Sequence, residues 1–253
     1  MKRIKKLIYA LIFLCIIGIV LFGYSTIKTS SSTSNSVKYV NVLIYDGTGT
    51  MSSSVSGLEN CLDELNNKSS NKKFIYSTAV EINSQTLQGY DVLIMPGGDA
   101  SEYIQNSKID NSSIKQFVSS GKGYLGICAG AFAASNYVDG YYNGWGLEPD
   151  VTAETVDYVG DLSISTTSYG KKLSGTSDVT IYHQNGPALY TNDTEHILST
   201  FSDNNTGYEG YADMVGESYG SGRVLLSGSH PELEPENQEL LMNMLLWLSK
   251  NLD

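Results

Sequence analysis

The stretch GYLGICAGAFAA, residues 123–134, decides the fold. Residues 124–127 are a short apolar run behind a glycine, which is typical of a buried strand, and residues 129–134 are small and compatible with a helix. Cys128 lies at the junction, two positions from Gly126 and two from Gly130. Glycines at this spacing let a strand turn sharply into a helix where a side chain would clash with the crossing backbone. The sequence therefore predicts a strand, a tight turn at Cys128 and a helix.

Such a turn changes what a cysteine can do. It lifts the sulfur out of the sheet toward the N-terminus of the next helix, where free N–H groups and the helix dipole favour a thiolate. The alternative is a buried, space-filling cysteine, which is the commoner role of a lone cysteine. A space-filling residue does not require the flanking Gly126 and Gly130, so we expect Cys128 to be a catalytic nucleophile.

Apolar runs alternate with helical patterns on both sides of this stretch. Strands are predicted at residues 40–45, 73–78, 91–95 and 223–227, and helices at residues 56–66, 111–120 and 235–252. This order predicts an α/β fold with a doubly wound, mainly parallel sheet, in which functional groups collect at the carboxyl ends of the strands. Short alternating segments within residues 151–201 predict an antiparallel β extension. Residues 137–146, YVDGYYNGWG, predict an irregular aromatic rim over the site.

The first 24 residues differ from the rest of the chain. MKRIKK precedes an apolar run at residues 7–22, which predicts an uncleaved signal anchor, or transmembrane helix, with a cleaved signal peptide or a lipoprotein signal at Cys15 as alternatives. The four leading basic residues predict a single-pass cell-membrane protein whose domain is extracytoplasmic. Residues 25–37 are serine-rich and predict a flexible linker, and residues 38–253 predict one domain.

The amino-acid composition limits the kinds of partner that the predicted domain can bind. The formal net charge is −11, and all 27 acidic residues lie beyond residue 24, whereas four of the 16 basic residues precede it. Without a basic surface to neutralise phosphates, nucleic acid is not expected as a partner. Cys61 belongs to an apolar helical stripe that should pack onto the sheet, so we expect no disulfide between Cys61 and Cys128. Composition does not predict an oligomeric state.

A glycine pair follows the strand at residues 91–95. Gly97 and Gly98 would let backbone N–H groups face an oxyanion beside Cys128, together with the amide of Ala129. The alternative is an ordinary tight turn in which Asp99 caps the following helix. The elbow on the next strand favours the oxyanion interpretation, because the amide of Gly97 or Gly98 and that of Ala129 would then converge beside the sulfur.

A histidine follows the strand at residues 223–227. From there His230 can reach a cysteine on a neighbouring strand, and Glu232, two residues on, can hydrogen-bond the far ring nitrogen and set the tautomer. A solvated loop histidine is the alternative. Asp46, Tyr182, His183 and Asn185 are possible pocket residues; His183 could instead hydrogen-bond a turn.

The motifs GICAGA and SHPE together resemble the class I glutamine amidotransferase-like superfamily. More narrowly, VLIYDGTGT, VLIMPGGDA, YLGICAGAFAAS, YHQNGPALY and YGSGRVLLSGSHPE are similar to the biotin-protein ligase N-terminal domain family, across residues 40–252. The resemblance implies a flavodoxin-like fold with Cys128 as nucleophile, His230 as base and Glu232 as the residue that orients it. It also implies oxyanion contacts from the amides of Gly98 and Ala129.

Two functions follow as expectations. The first is an anchored cysteine hydrolase or amidase that cleaves a small-molecule or peptide amide. The second is a non-catalytic module that keeps the fold and binds a peptide, a sugar or an envelope partner. Nothing in the chain resembles the catalytic domain of a biotin ligase, so neither biotin nor ATP is expected. No metal and no other cofactor is expected either.

Overall fold

The computed structural model describes residues 37–252. Val37–Asp253 is one compact unit. The predicted signal anchor at residues 1–24 and all but the last residue of the predicted linker lie outside the described residues. Among residues 37–252, the helices are too short or too polar to cross a membrane.

The described chain forms thirteen strands, six α-helices and one 3₁₀ turn, Thr194–His196. The strands are β1 (Lys38–Tyr45), β2 (Lys72–Ala79), β3 (Val92–Met95), β4 (Gly123–Ile127), β5 (Ser135–Val138), β6 (Tyr142–Asn143), β7 (Glu148–Thr155), β8 (Val159–Thr166), β9 (Asp178–Gln184), β10 (Pro187–Tyr190), β11 (Ile197–Phe201), β12 (Ala212–Tyr219) and β13 (Gly222–Ser227). The helices are α1 (Ser52–Lys68), α2 (Ala100–Gln105), α3 (Asn111–Ser119), α4 (Ala129–Ala134), α5 (Lys171–Ser174) and α6 (Gln238–Leu248).

Five strands make a parallel half of the sheet in the order β2-β1-β3-β4-β13. β4 lies between β3 and β13, and Ile127 pairs with Ser227 at its carboxyl end. Parallel strands that are covered on both faces are apolar along their whole length, as β3 and β4 are. This order brings the residues after β3, β4 and β13 to one edge of the sheet.

The other half of the sheet is mainly antiparallel. β12 pairs antiparallel with β13 and with β11, and the sheet continues through β10 and β7 to the hairpin of β5 and β6. A branch from β11 adds β8 and β9. The chain is thus an α/β protein of flavodoxin-like type in which antiparallel strands extend a parallel sheet, as the sequence predicts.

Two apolar cores lie on opposite faces of this sheet. Alternate residues of β1 divide between them: Val42 and Ile44 face the core of α1 and α6, and Leu43 and Tyr45 face the core of α2, α3 and α4. The alternation follows from the two-residue period of a strand. The sheet is therefore covered by helices on both faces, which is the doubly wound arrangement.

Three elements differ from the predictions. α1 begins at Ser52 rather than at residue 56, which brings Ser54 into the interior. α6 covers only Gln238–Leu248, because Asn237 caps its first turn by accepting a hydrogen bond from Leu240 N. The region predicted as an irregular rim holds the hairpin of β5 and β6, in which Tyr137 pairs with Asn143.

Candidate active site

The turn at Cys128 is a strained elbow. Cys128 has φ of 51° and ψ of −104°, between the end of β4 and the start of α4. A Cβ on Gly130 would lie 2.0 Å from Met95 O, and one on Gly126 would lie 2.6 Å from Gly130 O. Both glycines therefore allow helix and strand backbones to approach more closely than a side chain permits.

The elbow brings the cysteine to a cavity of about 400 Å³. Cys128 is 6% exposed and lies on the cavity wall, and its thiol donates a 3.6 Å hydrogen bond to Gln184 O. The cavity is lined by Met51, Gly98, Asp99, Ala100, Ser101, Cys128, Phe132, Val138, Tyr141, Tyr142, Thr155, Gln184 and Asn185. The sulfur is thus enclosed but reachable by a small ligand.

His230 and Glu232 form a buried pair in the loop after β13. His230 Nδ1 lies 2.8 Å from Glu232 Oε1, and both side chains are shielded from solvent. The backbone N–H of His230 donates to Tyr182 O at 2.8 Å, and a Cβ on Gly97 would lie 2.5 Å from His230 Cε1. The backbone of His230 is therefore held by β9, and its imidazole packs against the loop after β3.

The surroundings of His230 favour its protonated form. Burial favours the neutral ring, but the charge of Glu232, the influence of Cys128 and the hydrogen bond with Glu232 together outweigh burial and raise the pKa of His230 to about 10. Nε2 is buried and makes no full hydrogen bond to any residue within 37–252. Nε2 is therefore the ring nitrogen available for proton transfer.

Ser54 joins the pair to the glycine loop. Its hydroxyl donates to Glu232 Oε1 at 2.6 Å and accepts a 3.0 Å hydrogen bond from Gly97 N. The sequence does not indicate the role of Ser54. Its contact with Glu232 spans 178 residues, and a run of three serines at the start of a helix has no feature that predicts it. One hydroxyl thus fixes Glu232 and the loop after β3 together.

The same contact corrects one predicted oxyanion donor. The amide of Gly97 is already bonded to Ser54, so it does not face an oxyanion beside Cys128. Gly98 lines the cavity with φ of 154°, and Ala129 is the first residue of α4, where the N–H has no partner inside the helix. Gly98 and Ala129 remain the predicted donors.

The possible pocket residues lie in different places. Asn185 lines the cavity with φ of 51°. The half-buried Tyr182 has its ring centroid 6.2 Å from that of His230, but it is not among the residues that line the cavity. Asp46 is exposed outside the lining, and His183 is fully buried.

His183 belongs to a second buried network behind His230. Its Nδ1 lies 3.0 Å from Ser229 Oγ, which lies 2.6 Å from Asp213 Oδ1. Burial raises the pKa of Asp213 to about 6, and burial followed by the charge of His230 lowers the pKa of His183 to about 4. Ser229 directly precedes His230, so this network fixes the backbone next to His230.

The two cysteines of the described chain are not bonded to each other, as predicted. Cys61, on α1, packs beneath the loop that carries Glu232: its sulfur lies 3.9 Å from Glu232 O and 3.4 Å from Glu236 Oε2. Burial and the neighbouring Glu236 raise the pKa of the Cys61 thiol. Cys61 is thus a poor nucleophile, in contrast to a cysteine on a cavity wall.

A cysteine elbow beside a His-x-Glu pair on a flavodoxin-like sheet is the arrangement that the motifs of the sequence imply. The comparisons with known proteins support the resemblance to the glutamine amidotransferase-like class. Residues 40–152 match the family model described as "Biotin-protein ligase, N terminal". The resemblance inferred from the motifs is thereby confirmed.

Similarity to individual proteins is more limited. A stretch of 55 residues is 42% identical to imidazole glycerol phosphate synthase subunit HisH of Helicobacter hepaticus, covering 20% of this chain and 25% of the relative. The chain thus spans about a quarter of the length of the curated relative that it matches.

Solved structures agree with the fold alone. A protein of Bacteroides uniformis described as ThuA-like is 13% identical, with a TM-score of 0.57 over 83% of this chain and 91% of that one. A β-galactosidase from Rahnella sp. R3 is 16% identical, with a TM-score of 0.54 over 85% of this chain and 31% of the enzyme.

Proposed function

We propose that the protein is a cysteine-nucleophile hydrolase that cleaves an amide bond. The observation that carries this proposal is the buried His230 and Glu232 pair, whose second ring nitrogen stays unbonded next to a cysteine on a strained elbow. Nε2 of buried His183 is also without a hydrogen-bond partner within residues 37–252, so what distinguishes His230 is the carboxylate partner at its Nδ1. The cavity at Cys128 supplies the space that a small-molecule or peptide amide requires.

In the proposed reaction, the imidazole of His230 already carries its proton on Nε2, and the thiolate of Cys128 attacks the amide carbon. The C–S bond forms as the carbonyl oxygen becomes an oxyanion, which the amides of Gly98 and Ala129 stabilise. Collapse of this intermediate breaks the C–N bond, and His230 returns the proton to the leaving amine. Water then cleaves the thioester, which yields a carboxylic acid and restores the thiolate and the protonated imidazole.

Groups of this kind are known to raise reaction rates substantially. A positioned acid or base contributes about 10²–10⁴-fold in rate, and each oxyanion donor about 10²–10³-fold. Glu232 adds no bond to the substrate; it holds the ring orientation and stabilises the imidazolium, as the orienting carboxylate of a triad does.

The test is whether the protein hydrolyses a panel of amides that includes glutamine, γ-glutamyl amides and short peptides. Release of the amine is the measured quantity. Cys128→Ala and His230→Gln should each lower kcat/KM by at least about 10³-fold. Cys61→Ala is the matched control, because it removes the other described thiol without touching the cavity, and it should retain activity.

The alternative is a binding module that recognises a peptide, a sugar or an envelope partner without chemistry. Cys128→Ala would then bind every tested ligand as tightly as the native chain, and no amine would be released from any amide. These two results together would show that the protein is a binding module and not a hydrolase.

We further propose that residues 1–24 anchor the protein in the cell membrane with the domain outside. The support is the uncharged apolar run at residues 7–22 behind four basic residues. The measurement is fractionation of the full chain, with protease added to intact cells. Recovery of the full chain in the soluble fraction, or complete protection from the protease, would contradict this location.

A further inference from the structure

The described residues that line the cavity include one acidic side chain and no lysine or arginine. Among the described residues that line it, Asp99 is the one with a charged side chain; the others are apolar or carry neutral hydroxyl, amide or thiol groups. A carboxylate on a ligand would find no cation there to pair with. A cation would find one carboxylate.

Asp99 is fixed in place and ionised. It caps α2 by accepting hydrogen bonds from Ser101 N at 2.8 Å, Ser101 Oγ at 2.6 Å and Glu102 N at 3.2 Å. All three bonds end on Oδ1, so Oδ2 keeps its capacity to accept a bond from a ligand. The hydrogen bond from Ser101 is the main cause that lowers the pKa of Asp99 below its usual value, so the group is negative at neutral pH.

Two tyrosines share the mouth of the cavity with this carboxylate. The rings of Tyr141 and Tyr142, in and beside the β5–β6 hairpin, have centroids 6.4 Å apart and planes at 55°. Tyr141 is 73% exposed, so its ring face is open to a ligand. Burial, followed by the charge of Asp99, raises the pKa of Tyr142.

A carboxylate with a free oxygen beside open aromatic rings is suited to an organic cation, because ring faces attract ammonium and guanidinium groups and the carboxylate adds a direct charge contact. The formal net charge of −11 raises the local concentration of cations in the same direction. We propose that the substrate of Cys128 is an amide whose non-reacting end carries an ammonium or guanidinium group, held by Asp99 and the Tyr141 and Tyr142 rings. This inference rests on the proposed cysteine hydrolase.

The experiment compares three chloroacetamides that differ only in an N-ethyl substituent, which ends in trimethylammonium, hydroxyl or sulfonate. Each alkylates a thiolate by forming a C–S bond and releasing chloride. Rates at Cys128 of the full chain are measured by mass spectrometry of the labelled peptide and divided by the rates with free 2-mercaptoethanol. Cys128→Ala gives the background at other sites.

The cationic probe should react roughly fivefold or more faster than the anionic one after this correction, the factor expected for unit charges about 4 Å apart in a water-filled cavity. Asp99→Asn, which keeps a capping oxygen, should bring the ratio toward one. Asp110→Asn is the matched control, because Asp110 caps α3 with bonds to Ser112 and Ser113 and does not line the cavity. It should leave the ratio unchanged.

Other outcomes overturn the inference in different ways. If all three probes label Cys128 rapidly and at equal corrected rates, the cationic substrate is wrong and the hydrolase proposal stands. A ratio that Asp99→Asn and Asp110→Asn lower equally would assign the preference to net charge instead of to Asp99. If the hydroxyl probe labels Cys128 no faster than free thiol, the nucleophile itself fails, and the substrate inference fails with it.

Discussion

Cys128 adopts a backbone conformation that residues with a side chain avoid, with φ of 51° and ψ of −104°. Such conformations raise the free energy of the folded state by roughly 1–3 kcal/mol and persist only where the surroundings enforce them. Here β4, α4 and the close approach of Gly130 to Met95 enforce it. The strain points to a functional reason for keeping a cysteine at this position.

That strain can be measured. Cys128→Ala and Cys128→Gly both remove the sulfur, but only glycine relaxes the backbone, so Cys128→Gly should be more stable by about 1 kcal/mol. The measurement is urea unfolding of both variants. Equal free energies of unfolding would mean that the elbow is not strained.

Asp213 predicts a dependence of stability on pH. Because its pKa is raised to about 6, the folded protein keeps a proton that the unfolded chain releases, so this group's contribution to stability is lost as pH rises from about 4 to 6. Asp213→Asn removes that loss, so the variant should gain on the order of 2 kcal/mol relative to the native chain between pH 4 and pH 6.

His183 contributes with the opposite sign over the same range, because its pKa is lowered to about 4. The difference between variant and native chain, measured by urea unfolding at each pH, isolates Asp213 from His183. A difference that does not change between pH 4 and pH 6 would show that Asp213 is ionised in the folded protein throughout.

Helix α4 lies directly against β3. Gly130→Ala places a methyl group 2.0 Å from Met95 O, and neither backbone can move without opening β3 or the elbow. We expect a loss of about 3 kcal/mol or more in the free energy of unfolding. Gly140→Ala is the control: its Cβ meets nothing within 4 Å, so only the positive φ of 76° opposes it, at roughly 1 kcal/mol. Equal losses would disprove the close approach.

Ser54 predicts that α1 stabilises the site. Ser54→Ala leaves Gly97 N without its acceptor and Glu232 Oε1 without one donor, so stability should fall by about 1–3 kcal/mol. Ser56→Ala, on the exposed side of the same helix, loses only bonds to its own backbone and should change stability by less than about 0.5 kcal/mol. Thermal unfolding of the two variants decides this, and matching midpoints would contradict it.

The elements that the sequence predicts well are those whose pattern is local. β1, β3, β4 and β13 are continuous apolar runs, and all four lie within two residues of their predicted ends. β10 and β12 were not predicted: β10 is four residues long and begins at a proline, and β12 mixes apolar residues with Asp213, Gly216 and Glu217. Their pairing partners, not their own residues, make them strands.

The residues of the site fall into the same two groups: those that a local sequence pattern predicts and those that only the folded chain brings together. A glycine-flanked cysteine and a His-x-Glu spacing can be recognised in sequence, because each is a short pattern with its own chemistry. The bond of Ser54 to Glu232 spans 178 positions and that of His183 to Ser229 spans 46, so both depend on the finished fold. The correction at Gly97 has the same origin, since a distant hydroxyl takes its N–H.

Across the whole molecule, acidic residues outnumber basic ones by 27 to 16. The ion pairs at Lys68 and Lys122 are partly exposed and contribute little. Mutual repulsion among carboxylates therefore opposes the compact state, and salt screens it. Raising NaCl from about 20 mM to 500 mM should increase the midpoint of thermal unfolding by at least about 2 °C. A constant or falling midpoint would show that the charges are already balanced locally.

The backbone contact from His230 N to Tyr182 O has a practical consequence for protein engineering. The proposed proton carrier, His230, follows β13 in the parallel half of the sheet, and the peptide group that contacts it belongs to β9 in the antiparallel half. A minimal enzyme trimmed to the five parallel strands would keep the thiol and the imidazole but lose that contact. Transplants of this chemistry into other scaffolds should therefore include β9.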